Sequence, residues 1–268
     1  MDLLSALKKD FVIGDGGVGV LLQEAGLGVG ESGEAWNISS PDKVEAVHRA
    51  FIEAGSELVQ TNTFQGNALA LARHNLEDKV AELNRAGVEI ARRAAGGEVF
   101  VVGSVGPSGA LLEPYGDMSR EQLEKAFVEQ TQALAEAGVD GFVVETFAAV
   151  DEIEIAVVAA KKTGRPVAAS MAFEVSGRTV MGTTPEEAAR RLTAAGADIV
   201  GANCGMGPKE LYPLIEKMKA AHDGLMIAQP NAGMPEIREG ETVFPETPEM
   251  MAEYAVRFRD LGINIIGG

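Results

Sequence analysis

The 268-residue chain carries 23 Lys and Arg against 40 Asp and Glu, a formal net charge of −17. A chain this acidic repels a phosphate backbone, which sets nucleic acid aside as a partner. The single cysteine excludes an internal disulfide framework, and no apolar run approaches the ~20 residues of a membrane span.

The opening stretch, Met1 to Lys9, lacks the basic and apolar regions of a secretory signal, so the expected location is cytoplasmic. Eight short runs then read as strands: Phe11–Ile13, Leu58–Thr61, Val99–Gly103, Gly141–Glu145, Val167–Met171, Ile199–Ala202, Leu225–Ala228 and Ile263–Ile266. Each is almost continuously apolar, as parallel strands covered on both faces are. Helical patterns lie between them, several with clear start signals. Ser40-Pro41-Asp42 supplies a cap, a proline and an early acid, Ser119 to Gln122 has capping-box spacing, and Thr184-Pro185 and Thr247-Pro248 repeat the cap-plus-proline device.

Four helix-to-strand junctions share one pattern. At Gly55, Gly138, Gly196 and Gly262 a glycine suited to the left-handed cap is followed by a polar residue and an apolar strand. Repetition of one junction points to an α/β chain folded as a (β/α)8 TIM barrel, with a doubly wound sheet as the alternative. No linker interrupts it, so residues 1–268 read as one domain. The eighth strand runs into Gly267-Gly268 with no outer helix after it. The expectation is therefore a barrel truncated after its eighth strand, a fragment of a larger multidomain protein.

Barrel active sites are built where strands end. That rule collects Asp15, Asn62, Ser104, Glu145, Asn203, Cys204 and Asn231 on one rim. Gly14, Gly16 and Gly19 have dinucleotide-loop spacing, but the next strand begins near Leu58, too far for a ~30-residue βαβ unit, and a tight turn is the better reading. Asp15 and Glu145 can each cap a helix. As a pair they also suit an ammonium group, or an acid and base of a lyase or aldolase. Asn62, Asn203 and Asn231 suit turns as well as ligand contacts. His48, His74 and His222 all fall in helical stretches, so neither a Ser–His–Asp nor a Cys–His pair is available. A lone cysteine is ordinarily packing, but Cys204, at a strand end between Asn203 and Gly205, is better placed for chemistry. The stretch Met234–Glu246 reads as a loop with the length and position of a lid.

These rim residues, in this order, resemble the homocysteine S-methyltransferases, and within them the N-terminal homocysteine-binding module of the cobalamin-dependent methionine synthases. The likeness rests on Asp15–Gly19, Thr61-Asn62-Thr63-Phe64, Gly103–Pro107, Glu145-Thr146-Phe147, Gly201–Gly205, Gln229–Gly233 running on to Glu236, Thr247-Pro248-Glu249 and Ile265–Gly268, and so spans essentially the whole chain. Val20 departs from it, standing where a threonine is expected.

The resemblance implies zinc-dependent methyl transfer to the thiol of homocysteine, giving methionine. The family's zinc is held by three cysteine thiolates and lowers the pKa of the bound substrate thiol. Cys204 matches the first ligand. Asp15 and Glu145 would hold the substrate ammonium, and Ser104 with neighbouring backbone N–H groups its carboxylate. Asn203 and Asn231 would orient these groups, and Asn62 joins them as a binding residue. The other two zinc ligands are expected directly after the Gly-Gly pair, so the site is incomplete here and the fragment is expected to bind zinc weakly and to lack activity. Methylcobalamin on another domain is the implied donor, with corrinoid and methyltetrahydrofolate domains of the same chain as partners. Alternatives are a free-standing enzyme using betaine or S-methylmethionine, and a non-catalytic barrel that binds an amino acid.

Overall fold

A computed structural model describes residues 2–234, 236–238 and 241–268. Helix α1 (Leu3–Lys9) leads into β1 (Val12–Ile13), α2 (Val18–Glu24), α3 (Trp36–Ser39), α4 (Pro41–Glu53) and β2 (Leu58–Gln60). Then follow α5 (Ala68–Leu71), α6 (Val80–Ala95), β3 (Phe100–Val105), α7 (Arg120–Ala137), β4 (Gly141–Phe147), α8 (Val150–Lys161) and β5 (Val167–Met171). The last part holds α9 (Pro185–Ala194), β6 (Ile199–Asn203), α10 (Pro208–Ala220), β7 (Leu225–Gln229), β8 (Glu236–Arg238), β9 (Glu241–Val243), α11 (Pro248–Asp260) and β10 (Ile265–Ile266).

Strands β1 to β7 and β10 form one parallel sheet in the order β1-β10-β7-β6-β5-β4-β3-β2. A bridge between Gly14 and Leu58 joins its two ends, with Asp15 N–H donating to the Leu58 carbonyl at 3.0 Å. The fold is therefore the expected (β/α)8 TIM barrel, not a doubly wound sheet. Its junction glycines behave as their pattern demands: Gly55, Gly138, Gly196 and Gly262 have φ of 110°, 96°, 98° and 86°, where a side chain would be strained. The capping box at Ser119 is complete, and Thr184 and Thr247 accept from the N–H groups of Glu187 and Met250. Ser40 differs from expectation, for its side chain makes no capping bond, and Pro41 with Asp42 in the first turn marks the start of α4.

The strands also differ in extent. β3 and β4 run two residues past their expected ends, and β10 is confined to Ile265–Ile266. In β4 the pairing with β5 is interrupted between Val144 and Phe147 before it resumes at Phe147–Met171. This irregularity lifts Glu145 and Thr146 out of the ladder, a common way to re-aim side chains beside a site.

The barrel interior is layered. At its N-terminal end Leu58, Val102, Val143, Ala168, Ile199, Ile227 and Ile265 pack together, closed from below by Leu3 and Leu7 of α1. Side chains alternate along a strand, so residues two further on face the same interior. Those are Gln60, Ser104, Glu145, Ser170, Gly201 and Gln229, and the interior turns from apolar to polar in one step. Gly201 is required by packing, because a Cβ there would collide with the Ile227 carbonyl of the adjacent β7. The stretch expected as a lid, Met234–Glu246, contains the antiparallel pair β8–β9, while Pro235, Glu239 and Gly240 lie outside the described residues.

Candidate active site

A cavity of about 690 Å³ opens at the C-terminal rim, and its wall includes Glu145, Asn203, Cys204, Ser104, Asn62 and Asn231. Six of the seven expected site residues thus share one space. Asp15 is wholly buried and set behind the wall.

Asn203, at the end of β6, is the organising residue. Its Nδ2 lies 3.1 Å from Glu145 Oε2, 2.7 Å from Thr146 Oγ1 and 3.2 Å from Cys204 Sγ. Its orientation is set from the other side, where Oδ1 accepts from Ser170 Oγ at 2.6 Å and from Thr146 N–H at 2.9 Å. Ser104 Oγ donates to the second Glu145 oxygen at 2.6 Å. The Ser104 hydroxyl is therefore committed to Glu145, and its N–H to Thr61 Oγ1 at 3.2 Å.

Both Thr146 and Cys204 sit in left-handed backbone, at φ of 64° and 56°. Non-glycine residues held there carry strain that concentrates at functional sites, on the order of 1–3 kcal/mol each. The turn at Cys204 keeps its N–H on the Gln229 carbonyl at 3.0 Å while the thiol faces the cavity. Burial, followed by the charge of Glu145, pushes the Cys204 thiol up from its ordinary value. Burial also raises Glu145 to about 7 against the one bond from Ser104, and raises Asp15 to about 8 against two bonds from Gln60. Those bonds come from the Gln60 N–H at 2.7 Å and Nε2 at 3.3 Å, and they occupy both Asp15 oxygens.

The remaining asparagines differ in use. Asn62 Nδ2 donates to the Gly33 carbonyl at 2.7 Å and to Asn37 Oδ1 at 2.9 Å, bracing the loop between α2 and α3 and the start of α3. Asn231 donates its N–H to the Met206 carbonyl at 3.0 Å, and its half-buried side chain borders the cavity. The histidines stay away from the wall, with His48 packed inside the helical layer. Phe244, from the stretch expected as a lid, contributes to the wall.

Four further polar residues belong to this arrangement without a role readable from the sequence: Gln60, Thr146, Ser170 and Gln229. Three of them are polar residues at interior positions of otherwise apolar strands, and that break in apolarity is the signal that marks them.

Among the described residues no group of three or more His, Cys, Asp or Glu side chains could surround a metal ion. The donor set among these residues therefore does not fit a zinc ion by itself. Cys204 offers one sulfur, and a zinc site needs at least two further protein donors.

A parallel barrel with a thiol, two carboxyl groups and an amide hub at its C-terminal rim defines a small-molecule enzyme scaffold. Its sequence matches the model of the family described as homocysteine S-methyltransferase over residues 12–268, and the chain belongs to that family. It is 30% identical to the methionine synthases of Mycobacterium leprae and Mycobacterium tuberculosis, in alignments that cover 100% of the chain and 24% of each relative. The chain thus spans about a quarter of the length of the curated relatives it matches. The metallated form of the homocysteine methyltransferase MmuM from Escherichia coli superposes with a TM-score of 0.81 at 21% identity, covering 99% of this chain and 93% of that one. At that identity the likeness speaks for the shared barrel. Among the described residues no helix is long and apolar enough to cross a membrane.

Proposed function

We propose that residues 1–268 form one homocysteine-binding barrel domain that presents the substrate thiol for methylation to methionine, as the homocysteine module of a cobalamin-dependent methionine synthase. The observation that carries this reading is the junction at Asn203, where one amide group meets Glu145 and Cys204 on the wall of a single cavity. An amino acid with a thiol two methylenes from its α-carbon suits such a wall. Its ammonium takes the carboxylate end and its sulfur the Cys204 end. Family membership and the methionine synthase relatives support the same assignment.

The division of labour follows from the geometry. Glu145, held by Ser104 and Asn203, supplies the charge that receives the ammonium, and that cation in turn draws the Glu145 proton off. Asn203 keeps the carboxylate and the thiol at a fixed separation. In the reaction the homocysteine S–H proton passes to solvent, a sulfur lone pair forms the bond to the methyl carbon, and the bond between that carbon and its donor breaks with its electron pair staying on the donor. Zinc, where it takes part, would take Cys204 as one thiolate ligand and lower the pKa of a bound thiol. The described residues do not complete its site.

The reading is tested by calorimetric titration of the 268-residue chain with homocysteine, and by transfer of labelled methyl from methylcobalamin to homocysteine in the presence of zinc. The expected results are stoichiometric homocysteine binding and zinc retention well below one equivalent by elemental analysis. Both binding and any methyl transfer should weaken in Cys204→Ser. Unchanged binding and transfer in that variant would remove the reading. A second reading is a free-standing methyltransferase using betaine or S-methylmethionine. Labelled S-methylmethionine or betaine in place of methylcobalamin separates the two.

A further inference from the structure

The irregular segment that follows β2, residues 61–67, lies between the cavity and the helical layer. Thr61, Asn62, Phe64 and Gln65 belong to the cavity wall, so the shape of that wall depends on what holds the segment's backbone. Three of its carbonyl groups each accept from an amide side chain on a different helix. Asn62 O takes Asn37 Nδ2 of α3, Thr63 O takes Gln130 Nε2 of α7, and Gly66 O takes Asn84 Nδ2 of α6, each at 2.8 Å. All three amides are buried, and none lies on the cavity wall.

The amides are tied to one another and to α6. Asn37 Nδ2 and Asn84 Nδ2 also donate to the Leu83 and Val80 carbonyls at 3.1 and 2.7 Å, and Gln130 Nε2 reaches Asn84 Oδ1 at 3.3 Å. Two glycines make room for them. A Cβ at Gly66 would stand 2.6 Å from Asn84 Oδ1 and 2.9 Å from Gln130 Nε2, and one at Gly87 would stand 2.8 Å from Asn37 Nδ2.

Gln130 is the informative member. It supplies the donor that a buried carbonyl requires, yet its own Oε1 has no partner among the described residues. An aliphatic side chain packed between helices would avoid that cost. From Thr63 the hydrogen bonds continue inward. Thr63 Oγ1 lies 2.6 Å from Thr61 Oγ1 and donates to the Ser104 carbonyl at 2.8 Å, while Ser104 Oγ donates to Glu145 at 2.6 Å. A continuous path thus joins the outer helix α7 to the carboxyl group of the site.

Resting on the homocysteine reading above, we propose that Gln130 is a positioning residue for the substrate site. It acts through Thr63, holding residues 61–67 and with them the Ser104 hydroxyl that fixes Glu145. This side of the cavity is thereby formed before the substrate arrives. Asn37 and Asn84 anchor the same segment near its two ends.

Coupling along such a path is measured by a double-substitution cycle, read here as homocysteine affinity by calorimetry on the 268-residue chain. The variants are Gln130→Met, which keeps the length and loses the donor, Ser104→Ala, and the two combined, each with a thermal melt. Leu134→Ala, a fully buried residue one turn further along α7, is the control for lost stability alone. Gln130→Met should lower homocysteine affinity about fivefold, in line with a lost hydrogen bond. The combined variant should bind within about twofold of Ser104→Ala, because both act on one path. Leu134→Ala should melt lower and bind with unchanged affinity. Unchanged affinity in Gln130→Met, losses that multiply in the combined variant, or a like loss in Leu134→Ala would each overturn the proposal and leave the homocysteine reading intact. Failure of the unmodified chain to bind homocysteine would overturn both. If Gln130→Met does not fold, Thr63→Val, which interrupts the path at the Ser104 carbonyl, carries the same cycle.

Discussion

The two ends of the barrel are built from the same strands and do opposite work. Leu58, Val102, Val143, Ala168, Ile199 and Ile227 close the N-terminal end as an apolar plug with α1. Two residues on, Gln60, Ser104, Glu145, Ser170 and Gln229, with Asn203 a further step along β6, face the rim as a polar network. The lower layer draws its stability from area removed from water, about 1.5–3 kcal/mol for a large aliphatic side chain. The upper layer removes carboxyl groups from water and leaves acceptors unpaired, which is destabilising in isolation. One short strand thus carries stability at its start and binding at its end, and substitutions at the two levels should separate cleanly.

The largest expected effect lies in the lower layer. Leu58→Ala removes a fully buried side chain and should cost about 2–5 kcal/mol in urea unfolding. The homocysteine affinity of the folded fraction should stay the same, and a matching loss of affinity would break the separation of levels. Next comes Glu145→Gln, which keeps the shape and removes the charge. Homocysteine affinity should fall about tenfold to a hundredfold, while the melting temperature at pH 8 holds or rises because a buried carboxylate is gone.

A smaller effect is the pH dependence of the ligand-free protein. Burial raises Asp15 to about 8 and Glu145 to about 7, from ordinary values of 3.8 and 4.5. Between those limits the folded protein holds protons that the unfolded chain has released. Stability from these groups is therefore full below about pH 4 and is lost as pH rises through about 7 to 8. Melting temperatures recorded from pH 5 to 8.5 should fall for this reason, and Asp15→Asn should flatten the upper part of that fall. Homocysteine affinity should move the other way over the same range, since the ammonium needs ionised partners. The smallest effect is at a distance from both layers. Ser119→Ala breaks the capping box of α7 and should cost about 1 kcal/mol with no change in ligand preference.

Much of this is legible in the amino-acid sequence. Parallel strands covered on both sides leave uninterrupted apolar runs, and a left-handed helix cap leaves a glycine, so eight strands and their junctions could be placed along the chain. Glu145, Asn203 and Cys204 stood out as polar residues at strand ends. Gln60 was hidden inside a run, Leu58 to Thr61, whose apolar start concealed the change of layer. Ser170, one hydroxyl inside the run Val167–Met171, gives no sign in the sequence that it sets the orientation of Asn203 from the adjacent strand. That Asp15 would sit behind Gln60, and that Asn62 would brace a loop through Gly33 and Asn37, depend on side-chain directions. Strand-end position does not encode those.

The close approach of β6 and β7 at Gly201 limits how this pocket can change. No residue larger than glycine fits there without moving the Ile227 carbonyl, so the seam beneath Asn203 and Gln229 is as narrow as two backbones allow. Room in the cavity has to come from elsewhere on its wall, where Gly17 and Gly19 in the turn after β1 and Phe244 in the stretch after β7 border the space with no such backbone collision. A directed-evolution library aimed at reshaping this cavity therefore belongs in those loops rather than along this seam.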